Sequence, residues 1–321
     1  MSTFSYLTIV RKNKEKLLEF SKFLVNATKK SQQVIFKILY YTLMRMIKLK
    51  SVDSTHLYAL RLVEEHPTFS SISMSGKINV SDNISGVVIV ADEQTNGIGR
   101  CNRRWESLKG NLFTSIIMPM LTGFDLGQLS LTAACAIRET IAYYIPMSMQ
   151  KSRDLTLHWP NDVYFRGKKI SGMLLAVSND FLIISIGINV NVSPKDCSVK
   201  RPTTCIREII KPSSESSELH MLHINTLLCI LLENIDKWIS RLRKTGFSDI
   251  KSYWLRNIND INCSVTIKNG NSVLNGIFLD INDSGKAVLK VSDNNDNNKN
   301  VLISSGDLFL NQNEIVGYGC E

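Results

Sequence analysis

The sequence predicts an α+β fold: a mixed β-sheet packed by helices, followed by a small all-β domain. Three observations predict it. Between about residues 56 and 255, short apolar runs of strand length are interspersed with stretches of helical periodicity. Several of those runs are joined by hairpin returns rather than by helices, which gives a mixed rather than an all-parallel sheet. Beyond residue 258 the pattern changes to short strands separated by Asn/Gly/Asp turns. The expected organisation is a basic N-terminal extension over 1–50, a large domain over 51–258 and a small β domain over 259–321.

The elements follow in order. Ser54 or Thr55 can cap a helix from His56 to Glu65 that ends before Pro67. Val87 to Val90 is a short buried strand, and Asn111 to Met118 returns as another. Gln128 to Tyr144 has helical apolar spacing and stops before Pro146. Leu155–Trp159, Val163–Phe165, Ile170–Val177 and Leu182–Val192 read as strands. A Pro/Ser-rich connection over 193–220 has room for a short helix at Cys205–Ile210. Leu222–Arg243 is an amphipathic helix and Phe247–Leu255 another. The small domain takes strands at Cys263–Lys268, Ser272–Asp280, Ala287–Val291 and Val301–Ser304. The Asn/Asp-rich run Asp293–Asn300 reads as a disordered loop. Within the first fifty residues, apolar positions recur at helical spacing from Leu17 to Leu24 and again from Val34.

Charge and cysteine usage exclude several functions. The net charge is +9, and residues 1–50 carry eleven Lys or Arg against two Glu, which accounts for all of it. The remaining 271 residues hold 27 charges of each sign. A uniformly basic nucleic-acid-binding body is therefore not expected, and no specific nucleic-acid partner. Seven cysteines without a C-x-x-C pair point to a reducing compartment and away from a disulfide scaffold or a zinc site. His220 and His223 are three apart without a companion ligand motif and read as surface residues. Lys37 and Arg45 interrupt the best apolar run, Val34–Ile47, so no membrane span is expected. No secretory signal with a small-residue cleavage site stands near the start. A cytoplasmic location is expected, with an organelle as the alternative through the basic extension.

Two stretches carry chemistry. The first is His158-Trp159-Pro160-Asn161-Asp162, leading through Lys168-Lys169 to Gly172. Pro160 has no N–H and biases Trp159 to extended geometry, while Asn161 and Asp162 suit a tight turn. A strand, a basic turn and a second strand bring amides and lysines together, which suits a phosphate or carboxylate; an ordinary polar hairpin fits equally well on these residues alone. The second is Gln94-Thr95-Asn96-Gly97-Ile98-Gly99-Arg100, followed by Arg103, Arg104 and Trp105. Gly97 and Gly99 allow close backbone approach and positive φ, and the guanidinium groups beside them suit an anion. This is not a dinucleotide fingerprint, because a charged loop and Trp105 follow where a helix should open. Nor is there a P-loop.

Together with Gly187-Ile188-Asn189-Val190-Asn191, these motifs resemble the biotin protein ligase (holocarboxylase synthetase) family in order and spacing, over roughly residues 51–310. The resemblance implies a catalytic domain of the kind shared with lipoate ligases and class II aminoacyl-tRNA synthetases, with an SH3-like C-terminal barrel. It implies biotin and ATP with Mg²⁺ as reactants, biotinyl-5′-AMP as intermediate and a lysine on a biotin carboxyl carrier domain as acceptor. The residues it marks for biotin are Ser54, Thr55, His56, Gln94, Gly97, Gly99, Arg100, Lys169 and Gly172. For ATP they are Arg100, Arg103, Trp105, Asn161, Lys169 and Asn189, with no protein side chain as a direct metal ligand. Lys169 and Arg100 are the expected catalytic residues. Lys169 stands at the family's spacing past Asp162, which leaves Lys168 as a spectator. Ile98 replaces a usual Arg, His56 a usual Asn and His158 a usual Lys.

The nearest competitor is a lipoate-type ligase, whose R-R-x-x-G-G-G stretch is absent. A biotin-sensing DNA-binding regulator belongs to a different class. Residues 1–50 are basic enough for DNA, but they are short for a winged helix-turn-helix and lack its Gly-containing turn. A binding protein without catalysis is disfavoured by Arg100 and Lys169. A homodimer stays open.

Overall fold

A computed structural model describes residues 45–65, 86–151, 153–194, 202–210, 222–270, 272–292 and 298–310. The chain divides into units 1–46 and 47–321, and the site lies in the second. The helical spacing read over residues 17–24, the loop at 293–297 and His220 fall outside the described residues.

Seven strands form the main sheet: β1 (Arg45–Leu49), β2 (Val87–Ala91), β3 (Leu112–Pro119), β4 (Leu155–His158), β5 (Asp162–Phe165), β6 (Lys168–Ser178) and β7 (Phe181–Ile188), in the order β1-β2-β3-β7-β6-β5-β4. From β2 to β4 every neighbour is antiparallel. Past β1 and β2 the chain continues with a parallel bridge, Val52 to Gln94, so the sheet is mixed. The stretch 45–49 is strand, and the apolar spacing read from Val34 otherwise lies outside the described residues. Its Ile47 and Leu49 pack against the sheet core, and burial there outweighs local periodicity.

Helix α1 (Thr55–Glu65) covers one end of one sheet face, where Ala59 and Val63 meet Val87, Ile89, Ile117, Phe181 and Ile183. Side chains alternate across a strand, so Ser185 and Gly187 continue the same face of β7 beyond Ile183. Gly172 of β6 lies opposite Gly187, and Ser115 of β3 opposite Ser185. The apolar floor under α1 thus gives way, along the same face, to hydroxyls and bare backbone. That change creates the site.

Helix α2 (Leu126–Ala142) starts with a capping box between Asp125 and Gln128. After the short α3 (Met147–Lys151) and α4 (Ile206–Ile210), α5 (Ile224–Thr245) buries Leu227, Leu228, Leu231, Leu232, Ile235, Trp238, Ile239 and Leu242. That is an i, i+3/i+4 stripe, each member stabilising by roughly 1.5–3 kcal/mol. Gly246, at φ +75, ends α5 and admits α6 (Phe247–Arg256). Trp254 of α6 donates to Leu131 O of α2 at 2.8 Å.

At the C-terminus β8 (Ser264–Asn269), β9 (Ser272–Ile281), β10 (Ala287–Ser292), β11 (Asn298–Ile303) and β12 (Asp307–Leu310) form a second, five-stranded antiparallel sheet in the order β11-β10-β9-β8-β12, which fits an SH3-like domain. Two expectations are corrected. β11 already begins at Asn298, inside the run read as disordered, because it pairs with β10 along its whole length. β12 was not foreseen and pairs with β8. The turn at 282–285 docks on α2: a Cβ on Gly127 would lie 2.4 Å from Ser284 O, and Trp159 Nε1 donates to Gly285 O at 3.1 Å.

Candidate active site

A cavity of about 580 Å³ opens where the polar end of the sheet face meets the 94–107 loop and β12. It gathers Ser54, Thr55, His56, Gln94, Gly99, Arg100, Arg103, Trp105, Asn161, Lys169, Gly172 and Asn189 from separate parts of the chain. Gly97 stands just behind the wall.

One end is a set of short polar groups. Thr55 is the first residue of α1 rather than its cap: its N–H and hydroxyl both donate to Gln94 Oε1, at 2.9 and 3.2 Å. Gln94 Nε2 donates to Ser107 Oγ at 2.9 Å, so the amide's orientation is fixed from both sides. His56 Nδ1 lies 2.8 Å from Ser185 Oγ, which in turn receives Ser115 Oγ at 2.8 Å. Burial pushes the His56 imidazolium below its ordinary range. Burial thus favours the neutral ring, in hydrogen-bond contact with Ser185 through Nδ1.

The 94–107 loop is a small hairpin. Trp105 N donates to Gly97 O at 2.8 Å, Gly99 N donates to Arg103 O at 2.6 Å, and Ile98 bridges to Arg104. Neither glycine takes the positive φ expected of it; Cys101 (φ +54) and Asn102 (φ +55) turn the tip instead. Gly97 is required for space, since a Cβ there would lie 2.6 Å from both Ser107 Oγ and Trp105 O. Trp105 lies against Gly187 so closely that a Cβ on that glycine would come within 2.6 Å of the ring.

Arg100 donates to Asn161 Oδ1 and to Gly306 O, both at 3.2 Å. Lys169 Nζ sits 2.6 Å from Asp162 Oδ2 and 5.5 Å from the centre of the Trp105 ring. Its place depends on Gly172, whose absent Cβ would lie 2.9 Å from Nζ. Lys168 is exposed on the other side of the strand. Asn161 braces the turn through Met173 O. Asn189 Nδ2 donates to Thr204 O at 3.1 Å. Three buried polar atoms of cavity residues have no hydrogen-bond partner: Trp105 Nε1, Asp162 Oδ1 and Asn189 Oδ1. Such atoms are costly to leave unmet, and a polar ligand would satisfy them.

Sequence reasoning missed Ser185, Ser107, Asn111 and Asp307. Ser185 had a signal, being the one hydroxyl in the apolar run Phe181–Ile188. Asn111 Oδ1 accepts from the N–H groups of Val190, Asn191 and Val192, and Asn191 clamps Gly110 O and Leu222. Of the two asparagines in the Gly187–Asn191 motif, Asn189 therefore lines the cavity and Asn191 holds the backbone. His158 lies outside the cavity, between Asp260 and Leu308 O.

The chain is similar to known proteins. A profile described as the biotin/lipoate A/B protein ligase family matches residues 62–191. The biotin–[acetyl-CoA-carboxylase] ligase of Paracoccus denitrificans is 28% identical over 209 residues, covering 63% of this chain and 83% of the relative. That of Mycobacterium tuberculosis is 27% identical, covering 70% and 79%. The solved structure of the Aquifex aeolicus biotin protein ligase in complex with biotin and ATP superposes with a TM-score of 0.63 at 27% identity, over 83% of this chain and 99% of that one. The shared fold, the ordered motifs converging on one cavity and these relatives point the same way: the chain is similar to the biotin/lipoate A/B protein ligase family, and the similar proteins are biotin protein ligases.

Proposed function

We propose that this chain activates biotin with ATP and passes it to a lysine on a biotin carboxyl carrier domain. The observation that carries the reading is Lys169, held inside the cavity near Arg100, with the Thr55/His56/Gln94/Ser185 set on the same walls. A carboxylate that attacks a phosphate brings two anions together, and a fixed cation offsets that repulsion. The short donors and acceptors suit a ureido ring, which offers two N–H groups and one carbonyl. In the first half-reaction a biotin carboxylate oxygen bonds to the α-phosphorus and pyrophosphate leaves. In the second, a carrier lysine amine attacks the acyl carbon, AMP departs, and the amine loses its proton. No enzyme nucleophile is needed; positioning and exclusion of water do the work.

In this reading Lys169 and Arg100 stabilise the charge at the reacting centre. Gly97, Gly99 and Gly172 let ligand and backbone approach. Trp105, Arg103, Asn161 and Asn189 meet the nucleotide, with Asn189 Oδ1 and Trp105 Nε1 gaining the partners they lack. Mg²⁺ would arrive on the phosphates of ATP; the described residues contain no cluster of three or more His, Cys, Asp or Glu to hold it directly. No helix among the described residues is long and apolar enough to cross a membrane. A cytoplasmic site of action and a homodimer remain part of the proposal, and an organelle is the alternative. The test is pyrophosphate–ATP exchange by the purified chain with biotin or lipoate as the acid. Exchange with biotin alone is expected; equal exchange with lipoate, or none with biotin, would overturn the reading.

A further inference from the structure

Three consecutive residues of the C-terminal domain each meet a donor from the catalytic domain. Gly306 O accepts from Arg100 at 3.2 Å, Asp307 Oδ1 accepts from Arg103 Nη2 at 2.7 Å, and Leu308 O lies 3.0 Å from His158 Nε2. A carbonyl only accepts, so His158 donates there. On its other side, His158 Nδ1 lies 2.8 Å from Asp260 Oδ2, with both side chains about nine-tenths buried (11% and 6% exposed). The start of β12 is pinned from behind as well. Gly306 has φ +142, and a Cβ there would come within 2.5 Å of Ile267 Cγ2 in β8. Held by β8 and His158, this strip presents one carboxylate and one carbonyl at a fixed place beside the cavity. The 94–107 hairpin meets it at Arg100 and Arg103, and Arg103 also folds its Nε back onto Arg100 O at 3.0 Å. The Arg103–Asp307 contact is charge-assisted, the stronger class of hydrogen bond.

We infer that Asp307 is a positioning residue of the C-terminal domain that holds the 94–107 loop shut over the cavity through Arg103. In this arrangement β12 sets how easily the loop opens. That opening would govern escape of the acyl-adenylate, a consequence that rests on the ligase reading; the latch itself does not. Because Arg103 is 43% and Asp307 22% exposed, the pair is partly screened by water and salt.

The test is amide hydrogen exchange on the intact, unliganded chain, comparing wild type, Asp307→Asn, Arg103→Asp and the double variant Arg103→Asp/Asp307→Arg. At low salt Asp307→Asn should speed exchange over residues 95–107 by up to about five-fold, the upper end for such a pair. About 0.5 M salt should bring wild type towards the variant. The charge-swapped double variant should recover slow exchange, which a role confined to the fold of β12 would not produce. Equal exchange in wild type and Asp307→Asn, no recovery in the double variant, or faster exchange spread across residues 264–310 would each overturn the latch. These readouts need no substrate, so they stand even if biotin is not the acid. With biotin and MgATP added, Asp307→Asn should also increase labelling of lysines on an unrelated protein. Unchanged labelling beside faster exchange would refute the link from loop opening to escape.

Discussion

Replacing Lys169 tests the proposed chemistry most directly, and the structure determines how the result must be read. Nζ is 2.6 Å from Asp162 Oδ2, with the two side chains 23% and 13% exposed. Lys169→Ala therefore removes two things: a cation from the cavity, and the partner of a mostly buried carboxylate whose other oxygen already lacks a hydrogen bond. Loss of a positioned donor to a developing transition-state charge costs about 2–4 kcal/mol, which corresponds to roughly 30- to 1000-fold in rate. Stranding Asp162 adds a stability cost of about 1–3 kcal/mol for the unmet buried group. The two effects separate in a cycle with Asp162→Asn, which removes the stranded charge. The single variant Lys169→Ala should be both slow and less heat-stable. Adding Asp162→Asn should recover much of the stability and little of the rate. The assay is biotin-dependent pyrophosphate–ATP exchange, with thermal unfolding measured beside it. Lys168→Ala, on an exposed side chain of the same strand, should change neither by more than a few tenths of a kcal/mol. Equal rate losses at the two lysines would refute the argument, as would full recovery of rate when Asp162 is neutralised.

The other expectations rest on separate parts of the site. Gly187→Ala places a methyl group 2.6 Å from the Trp105 ring, so Trp105 must move; ATP binding measured by calorimetry should weaken at least several-fold while the fold survives an overpacking cost of about 1–3 kcal/mol. His56 is held neutral by burial, with a folded value below the ordinary 6.5; the unfolded chain then binds the extra proton, so stability present near pH 7 should fall as pH drops below about 6.5. His56→Gln should flatten that part of a denaturation-versus-pH curve, and an unchanged slope would remove His56 as its source. Deleting residues 1–44 should preserve exchange activity and reduce retention on DNA at low salt, since the net charge lies in the first fifty residues. Deleting 1–50 also removes β1, whose Ile47 and Leu49 pack against the α1 core, and should lower the melting temperature.

The legible part of this molecule is the part in which one residue's chemistry suffices. Pro160, Asn161 and Asp162 force a turn wherever they stand, and the eight-residue apolar stripe of α5 can only face a core. The cavity's glycines were legible as well, but the reason for them was not. Gly97, Gly172 and Gly187 are fixed by what lies opposite: Ser107 and Trp105, Lys169, and the Trp105 ring. The backbone freedom expected at Gly97 and Gly99 is taken up by Cys101 and Asn102, residues of types that do not advertise it. Strand β1 was not foreseen for a related reason. Five residues carry too little pattern to separate a period of 2 from one of 3.6, and burial against α1 decided the outcome.

What remained unreadable is pairing across long sequence separation. Arg100 finds a partner in Gly306, 206 positions later; Asp307 meets Arg103 over 204 positions and Leu308 meets His158 over 150. Gly306 and Leu308 take part through their carbonyls, which every residue has, so no side-chain motif could have announced them. His158 shows the consequence. Read against a family lysine it is a departure without a role. In the fold it joins Asp260, β12 and the turn that carries Asn161 and Asp162. In the proposed reading the motifs specify the surfaces that meet the substrates. The groups that hold those surfaces in register come from backbone and from a domain whose sequence carries no catalytic signature, and variants along residues 306–308 should therefore affect the reaction without touching any residue the motifs would single out.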